Sequence, residues 1–118
     1  MMMESERRFQ LWEYRVSHGS LLIRSPRAPG VDENVDVRFV GVEYLAVPRS
    51  FQGLRIEVGD EGETRQVESA YGRELKSLRV FRLTSHGVRY FIVALSCHVE
   101  THSNDIFWSP FDSLGAPG

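Results

Sequence analysis

The sequence predicts a single, mainly β domain: an antiparallel sandwich or flattened barrel of roughly six to eight strands, with one short helix allowed near residues 64–76. Apolar and polar residues alternate with the period of two that half-buried strands require. Turn-forming pairs such as His-Gly separate these alternating segments. The chain has 118 residues and one cysteine, which fits one domain without a disulfide framework.

The first two strands are predicted at residues 9–17 and 20–24. In the first, aromatic and apolar side chains alternate with charged ones. His18 and Gly19 form a short link between the two segments, and glycine tolerates the positive φ that a tight hairpin needs. The two strands are therefore expected to pair antiparallel.

A third strand begins at Val35 and loses its phase near Gly41. Beyond that glycine the apolar positions move by one residue, so an extra residue in the ladder, a β-bulge, is predicted near Val40 and Gly41. A fourth strand covers residues 54–58, where apolar and charged side chains alternate again.

Residues 64–76 fit two interpretations. Apolar residues at helical spacing and a capping pair, Asp60 with Glu63, favour a helix. Gly72 would weaken that helix by roughly 1 kcal/mol relative to alanine. The favoured interpretation is a hairpin in which residues 64–69 pair back on the fourth strand.

The last two strands are predicted at residues 77–84 and 88–99, joined by a Ser-His-Gly turn. Tyr90 to Leu95 is apolar on both faces, which is typical of a central strand with a layer on each side. The domain is expected to span residues 9–111, with a frayed N-terminus at 1–8 and a flexible tail at 112–118.

The composition argues against membranes and nucleic acid. The longest apolar run is far short of the ~20 residues that cross a bilayer, and the N-terminus lacks the apolar run of a secretory signal, so a cytoplasmic protein is expected. The net charge of −2 gives no general attraction to phosphate backbones. Basic residues between Arg73 and Arg89, with Phe81 available for stacking, resemble an RNA-binding face, but arginines covering sheet edges explain them more simply.

His98, Glu100 and His102 form the best candidate metal site. If the last strand continues to residue 102, these three side chains project from one face at alternate positions. Two imidazoles and a carboxylate with an open position suit a divalent transition metal. A solvated strand end is the competing interpretation, and no cofactor is otherwise expected.

Cys97 is the one thiol that might act as a nucleophile beside a histidine. Adjacent strand residues point to opposite faces, so Cys97 and His98 are expected to diverge. A buried free cysteine usually behaves as a small apolar residue, so a structural role is predicted.

Phe107, Trp108 and Phe111 form an aromatic cluster after the last strand, and Trp12 is positioned to extend it. The cluster either folds onto its own core or docks on a partner. The sequence has no nucleophile elbow, phosphate loop or paired-carboxylate motif.

The expected function is therefore a small non-enzymatic protein-interaction module. It would bind another protein, in an inhibitor, immunity or adaptor role, or a second copy of itself as a homodimer. The alternative is a β domain that binds a small ligand or a divalent metal through His98, Glu100 and His102.

Overall fold

A computed structural model describes residues 1–112. They form eight strands and one α-helix, with a short 3-10 turn at Val16–His18: β1 (Met3–Arg15), β2 (Ser20–Ser25), β3 (Asn34–Val40), β4 (Tyr44–Ala46), β5 (Ser50–Val58), α1 (Glu61–Tyr71), β6 (Arg79–Ser85), β7 (Val88–Ala94) and β8 (Ser96–His102). The strands pair antiparallel in one sheet, in the order β4-β7-β6-β5-β1-β2-β3-β8. The predicted mainly β class is confirmed, as one sheet that is not closed into a barrel.

The sheet is strongly curled, because short links join strands that lie towards its opposite ends. Residues 41–43 connect β3 to β4, and Leu95 alone connects β7 to β8. The main core lies inside the curl, where the rings of Phe39 (β3) and Phe81 (β6) meet edge to face at 5.6 Å between centroids. We call the side of the sheet away from this core the outer face.

The extra residue predicted near Val40 is present at these links. Three residues separate Val40 from Tyr44, whereas two separate their respective partners Ser96 and Val93. The irregularity is larger than the predicted bulge, because the pairing is interrupted on both sides. β3 and β4 are separate strands, and so are their partners β8 and β7.

Gly41 and Leu95, one from each link, pack closely against each other. Gly41 has φ +66, and a Cβ on it would lie 2.7 Å from Leu95 Cδ1. Leu95 separates β7 from β8, so the single strand predicted for residues 88–99 is wrong. Leu95 is 49% exposed, although two-sided burial was expected for it.

Residues 61–71 are a helix, so the hairpin favoured for residues 64–69 is wrong. The capping pair forms: Glu63 N donates to Asp60 Oδ1 (2.8 Å), and Asp60 N donates to Glu63 Oε1 (3.0 Å). Gly72 does not interrupt the helix but ends it, with φ +80 at the C-cap, a conformation that glycine adopts without strain.

β7 is covered on both faces, so the two-sided cover predicted for Tyr90 to Leu95 is confirmed except at Leu95. Ile92 faces the core inside the curl, and Val93 packs with Val67 and Leu75 beneath α1. β7 is paired on both sides by β4 and β6, but it lies next to one end of the sheet and is not central.

The N-terminal segment expected to be frayed is a paired strand. β1 starts at Met3, and its first residues pair with β5. The predicted tail falls on residues 113–118, apart from Asp112, and lies outside the described residues. None of the helical segments in residues 1–112 has the length and apolar character needed to cross a bilayer.

Candidate functional site

Residues 103–112 form a segment, here called the strap, that leaves the end of β8 and reaches across the outer face to β1. At its far end, Ser109 Oγ donates to Glu13 Oε1 (2.5 Å). Arg15 Nη1 donates to the carbonyl oxygen of Phe111 (2.9 Å). Each of these contacts joins residues that are 96 positions apart in the sequence.

Arg24 fastens the middle of the strap to the sheet. Its neighbour Ile23 faces the core, so Arg24 projects from the outer face, where its side chain is fully buried. Nε and Nη2 bind the two carboxylate oxygens of Asp36 at 2.6 and 2.9 Å. Nη1 donates to the carbonyl oxygens of Ile106 (2.6 Å) and Trp108 (2.8 Å). Every guanidinium nitrogen therefore has a partner, as a buried charge requires.

His102 completes this network. Its Nε2 lies 2.7 Å from Asp36 Oδ2, while its Nδ1 lies 3.3 Å from Asn104 N and 3.4 Å from Asn34 Nδ2. Both neighbours of Nδ1 are N–H donors, so the partners assign the proton to Nε2 and leave Nδ1 as the acceptor. The Trp108 ring packs edge to face on the imidazole, with centroids 4.8 Å apart.

The three predicted metal ligands lie along β8 but have separate partners. His98 Nε2 bonds to Ser96 Oγ at 3.0 Å, and Glu100 Oε1 accepts from Arg38 Nη2 at 2.8 Å. His102 is held in the network described above. No group of three or more His, Cys, Asp or Glu side chains within residues 1–112 is placed to hold a metal ion.

The four aromatic residues predicted to form an interaction surface differ in their exposure to solvent. Phe107 is 81% exposed and Trp108 is 41% exposed. Trp12 is half-buried, with its ring 5.5 Å from the guanidinium carbon of Arg24. Phe111 is 2% exposed and is therefore buried with the strap rather than offered to a partner.

The chain was compared with known protein families, curated proteins and solved structures. Searches against protein-family models, curated proteins and solved structures found no match. The function must therefore be inferred from what the side chains of this chain can do.

Cys97 has the environment of a structural cysteine. It packs against the main core, and burial raises the pKa of its thiol to about 12. The thiol is therefore protonated at neutral pH, whereas a nucleophilic cysteine needs a thiolate. The His98 imidazole is bonded to Ser96 Oγ rather than to the Cys97 thiol.

We expect Cys97 to react with a disulfide reagent such as DTNB about a thousandfold more slowly in the folded protein at pH 7.5 than in urea, from thiolate content alone. The rate is followed by absorbance of the released thiolate. Equal rates in the two conditions would show that the thiol is ionised and accessible in the fold.

The basic stretch after α1 is partly neutralised by acids. Arg82 binds Glu63 (2.6 Å) and Glu57 (3.1 Å), and Arg89 also binds Glu63 (3.1 Å). The hydrogen bond from Arg82 lowers the pKa of Glu57 and raises that of Arg82. Phe81, the expected stacking residue, is buried in the core.

A shallow pocket of about 560 Å³ lies beside the loop that follows α1. Its apolar lining includes Leu75, Leu78 and Leu95. Its charged lining has two acidic and two basic side chains: Glu43, Glu74, Arg73 and Lys76. This balance of charge selects no ligand class, and the pocket is not lined by strap residues.

The sequence interpretation missed Arg24 and Asp36. The sequence does contain a signal for the burial of Arg24. This residue directly follows the apolar run Leu21–Ile23, and every residue of the short strand β2 is buried. Asp36 has no such signal, because it occupies one of the polar positions of the third predicted strand. The alternation gives the face of each residue but not the strand that lies beside it.

Proposed function

We propose that this protein is a small, non-enzymatic interaction module that uses Phe107 and Trp108 to bind a protein partner. The partner is another protein, in an inhibitor, immunity or adaptor role, or a second copy of the chain. The cytoplasm is the proposed location. The observation that supports this function is the 81% exposure of Phe107 on a backbone fixed on both sides.

The fixed backbone reduces the entropic cost of binding. Phe107 N donates to Asp105 Oδ1 (2.8 Å), and the carbonyls of its two neighbours, Ile106 and Trp108, accept from Arg24. An aromatic side chain on a preorganised backbone loses less freedom on entering a partner's pocket than one on a flexible segment. Exposed aromatic residues of this kind are common anchors of protein interfaces.

The surroundings of Phe107 suit an interface. Trp108 provides a second aromatic surface whose orientation is set by His102. Arg15 and Asp112 form an ion pair (2.6 Å) at the far end of the strap, which would lie in a polar rim. The hydrogen bonds that Arg15 donates to the carboxylates of Asp112 and Glu13 raise its pKa, so this rim cation keeps its charge.

Site-specific photocross-linking tests the proposal. With p-benzoylphenylalanine at position 107, irradiation of host cells should give one discrete adduct, whose mass distinguishes a second copy from another protein. Excess unlabelled wild-type protein should suppress the adduct, while the Phe107→Ala protein should compete poorly, because the anchor is missing.

The matched control carries the photoreactive residue in place of Val58, which is 50% exposed at the end of β5. Identical products from positions 107 and 58, or equal competition by Phe107→Ala, would contradict a binding role for the strap. The Phe107→Ala protein must retain the wild-type unfolding midpoint for the comparison to be valid.

A further inference from the structure

β8 is an end strand of the sheet with an open edge. It pairs with β3 through seven consecutive residue pairs, and within residues 1–112 no strand lies on its other side. It contains no proline, and its pairing with β3 has no bulge. An edge of this length presents a row of backbone N–H and C=O groups to which another strand can pair. The opposite end strand, β4, has only three residues and is a poor template.

We propose that β8 pairs antiparallel with β8 of a second copy, about a two-fold axis that passes beside Val99. Side chains opposite each other in a ladder lie on the same face, so the axis must pass beside a residue. Val99 is the midpoint of β8. This register therefore pairs all seven residues of each strand, whereas any other symmetric register pairs fewer.

Side-chain complementarity favours the same register. His98 of each copy lies opposite Glu100 of the other, so a cross-strand pair of complementary groups forms twice. An axis beside Glu100 would instead oppose two carboxylates, and an axis beside His98 would oppose two imidazoles. Glu100 already binds Arg38 (2.8 Å), which extends each pair into a group of three.

The face towards the core gains apolar contact in this register. Val99 is 38% exposed, although its neighbour in the ladder, Val37, is fully buried. Val99 of the second copy would cover it directly, and Cys97 would lie opposite Thr101. The self-association inferred here uses the β8 edge and does not depend on the strap.

Disulfide trapping tests the register. In a Cys97→Ser background, Val99→Cys places the new thiols opposite each other, at the separation of a cross-strand pair. Oxidation with copper phenanthroline should convert most of the protein to a covalent dimer. The control is Leu45→Cys in the same background, which is 37% exposed on β4 and should remain monomeric. Equal dimer yield from the two variants, or none from Val99→Cys, would overturn the proposal.

Charge variants test the pairing without a cross-link. His98→Glu and Glu100→Lys should each weaken dimerisation at least about tenfold in sedimentation velocity. An equimolar mixture of the two should recover a heterodimer, because each copy then presents charges complementary to the other. Circular dichroism and the unfolding midpoint verify that both variants fold.

A wild-type protein that stays monomeric at its highest attainable concentration, or a mixture that does not recover the dimer, would overturn β8 pairing. Neither result would change the product expected from the photoreactive residue at position 107. Conversely, loss of that product alone would remove the strap proposal and leave β8 pairing standing.

Discussion

Replacing Arg24 by Met is expected to lower the free energy of unfolding by about 3–5 kcal/mol, because it leaves the Asp36 carboxylate buried without its cation. The Asp36 side chain is only 4% exposed, so water cannot replace the lost partner. The carbonyls of Ile106 and Trp108 lose their donor as well. Urea unfolding followed by circular dichroism measures the stability. In a Trp12→Phe background, the fluorescence of Trp108 reports whether the strap is released.

The double variant Arg24→Met, Asp36→Leu is the control that separates the two effects. Removing both charges should recover much of the stability, since apolar replacements of buried ion pairs are often neutral. The strap should remain released, because leucine and methionine donate nothing to its carbonyls. A single variant within about 0.5 kcal/mol of wild type would show that Arg24 does not hold the strap.

The period-two pattern located most strands because each has one face in the core. It failed at residues 1–8, where the alternate positions Glu4, Glu6 and Arg8 are charged and the others provide no continuous apolar face. This segment is ordered by its pairing with β5, which its own sequence does not indicate. The helix at residues 61–71 was not favoured because Gly72 was placed in its interior. A glycine that weakens a helix interior stabilises a helix end, which is where Gly72 lies.

The candidate site was less predictable because its contacts join distant parts of the chain. Arg24 and Ile106 are 82 residues apart, and no local pattern records that they meet. His102 was identified as chemically distinctive, but its partner is Asp36 on the neighbouring strand rather than the other side chains of β8. Likewise, the sequence could not distinguish exposed Phe107 from buried Phe111, because the difference arises from the path of the strap.

The second large effect is expected at Phe39, in the core of the curl. Phe39→Ala should lower the free energy of unfolding by about 3–5 kcal/mol, because it removes a fully buried ring and leaves a cavity. The lost ring is also the contact through which β3 meets Phe81 of β6 across the curl. Since β3 carries β8, loosening it should also weaken any pairing at the β8 edge, which sedimentation velocity would detect.

Phe107→Ala is the matched control, with the same chemical change at an exposed ring. Its unfolding free energy should remain within about 0.5 kcal/mol of wild type, since no buried area is lost. Phe39→Leu should recover most of the stability lost in Phe39→Ala, because leucine fills much of the cavity. If Phe39→Ala proved as mild as Phe107→Ala, the core would not lie inside the curl. A stable Phe107→Ala protein would in turn show that the strap aromatic is not needed for folding, as the proposed binding role requires.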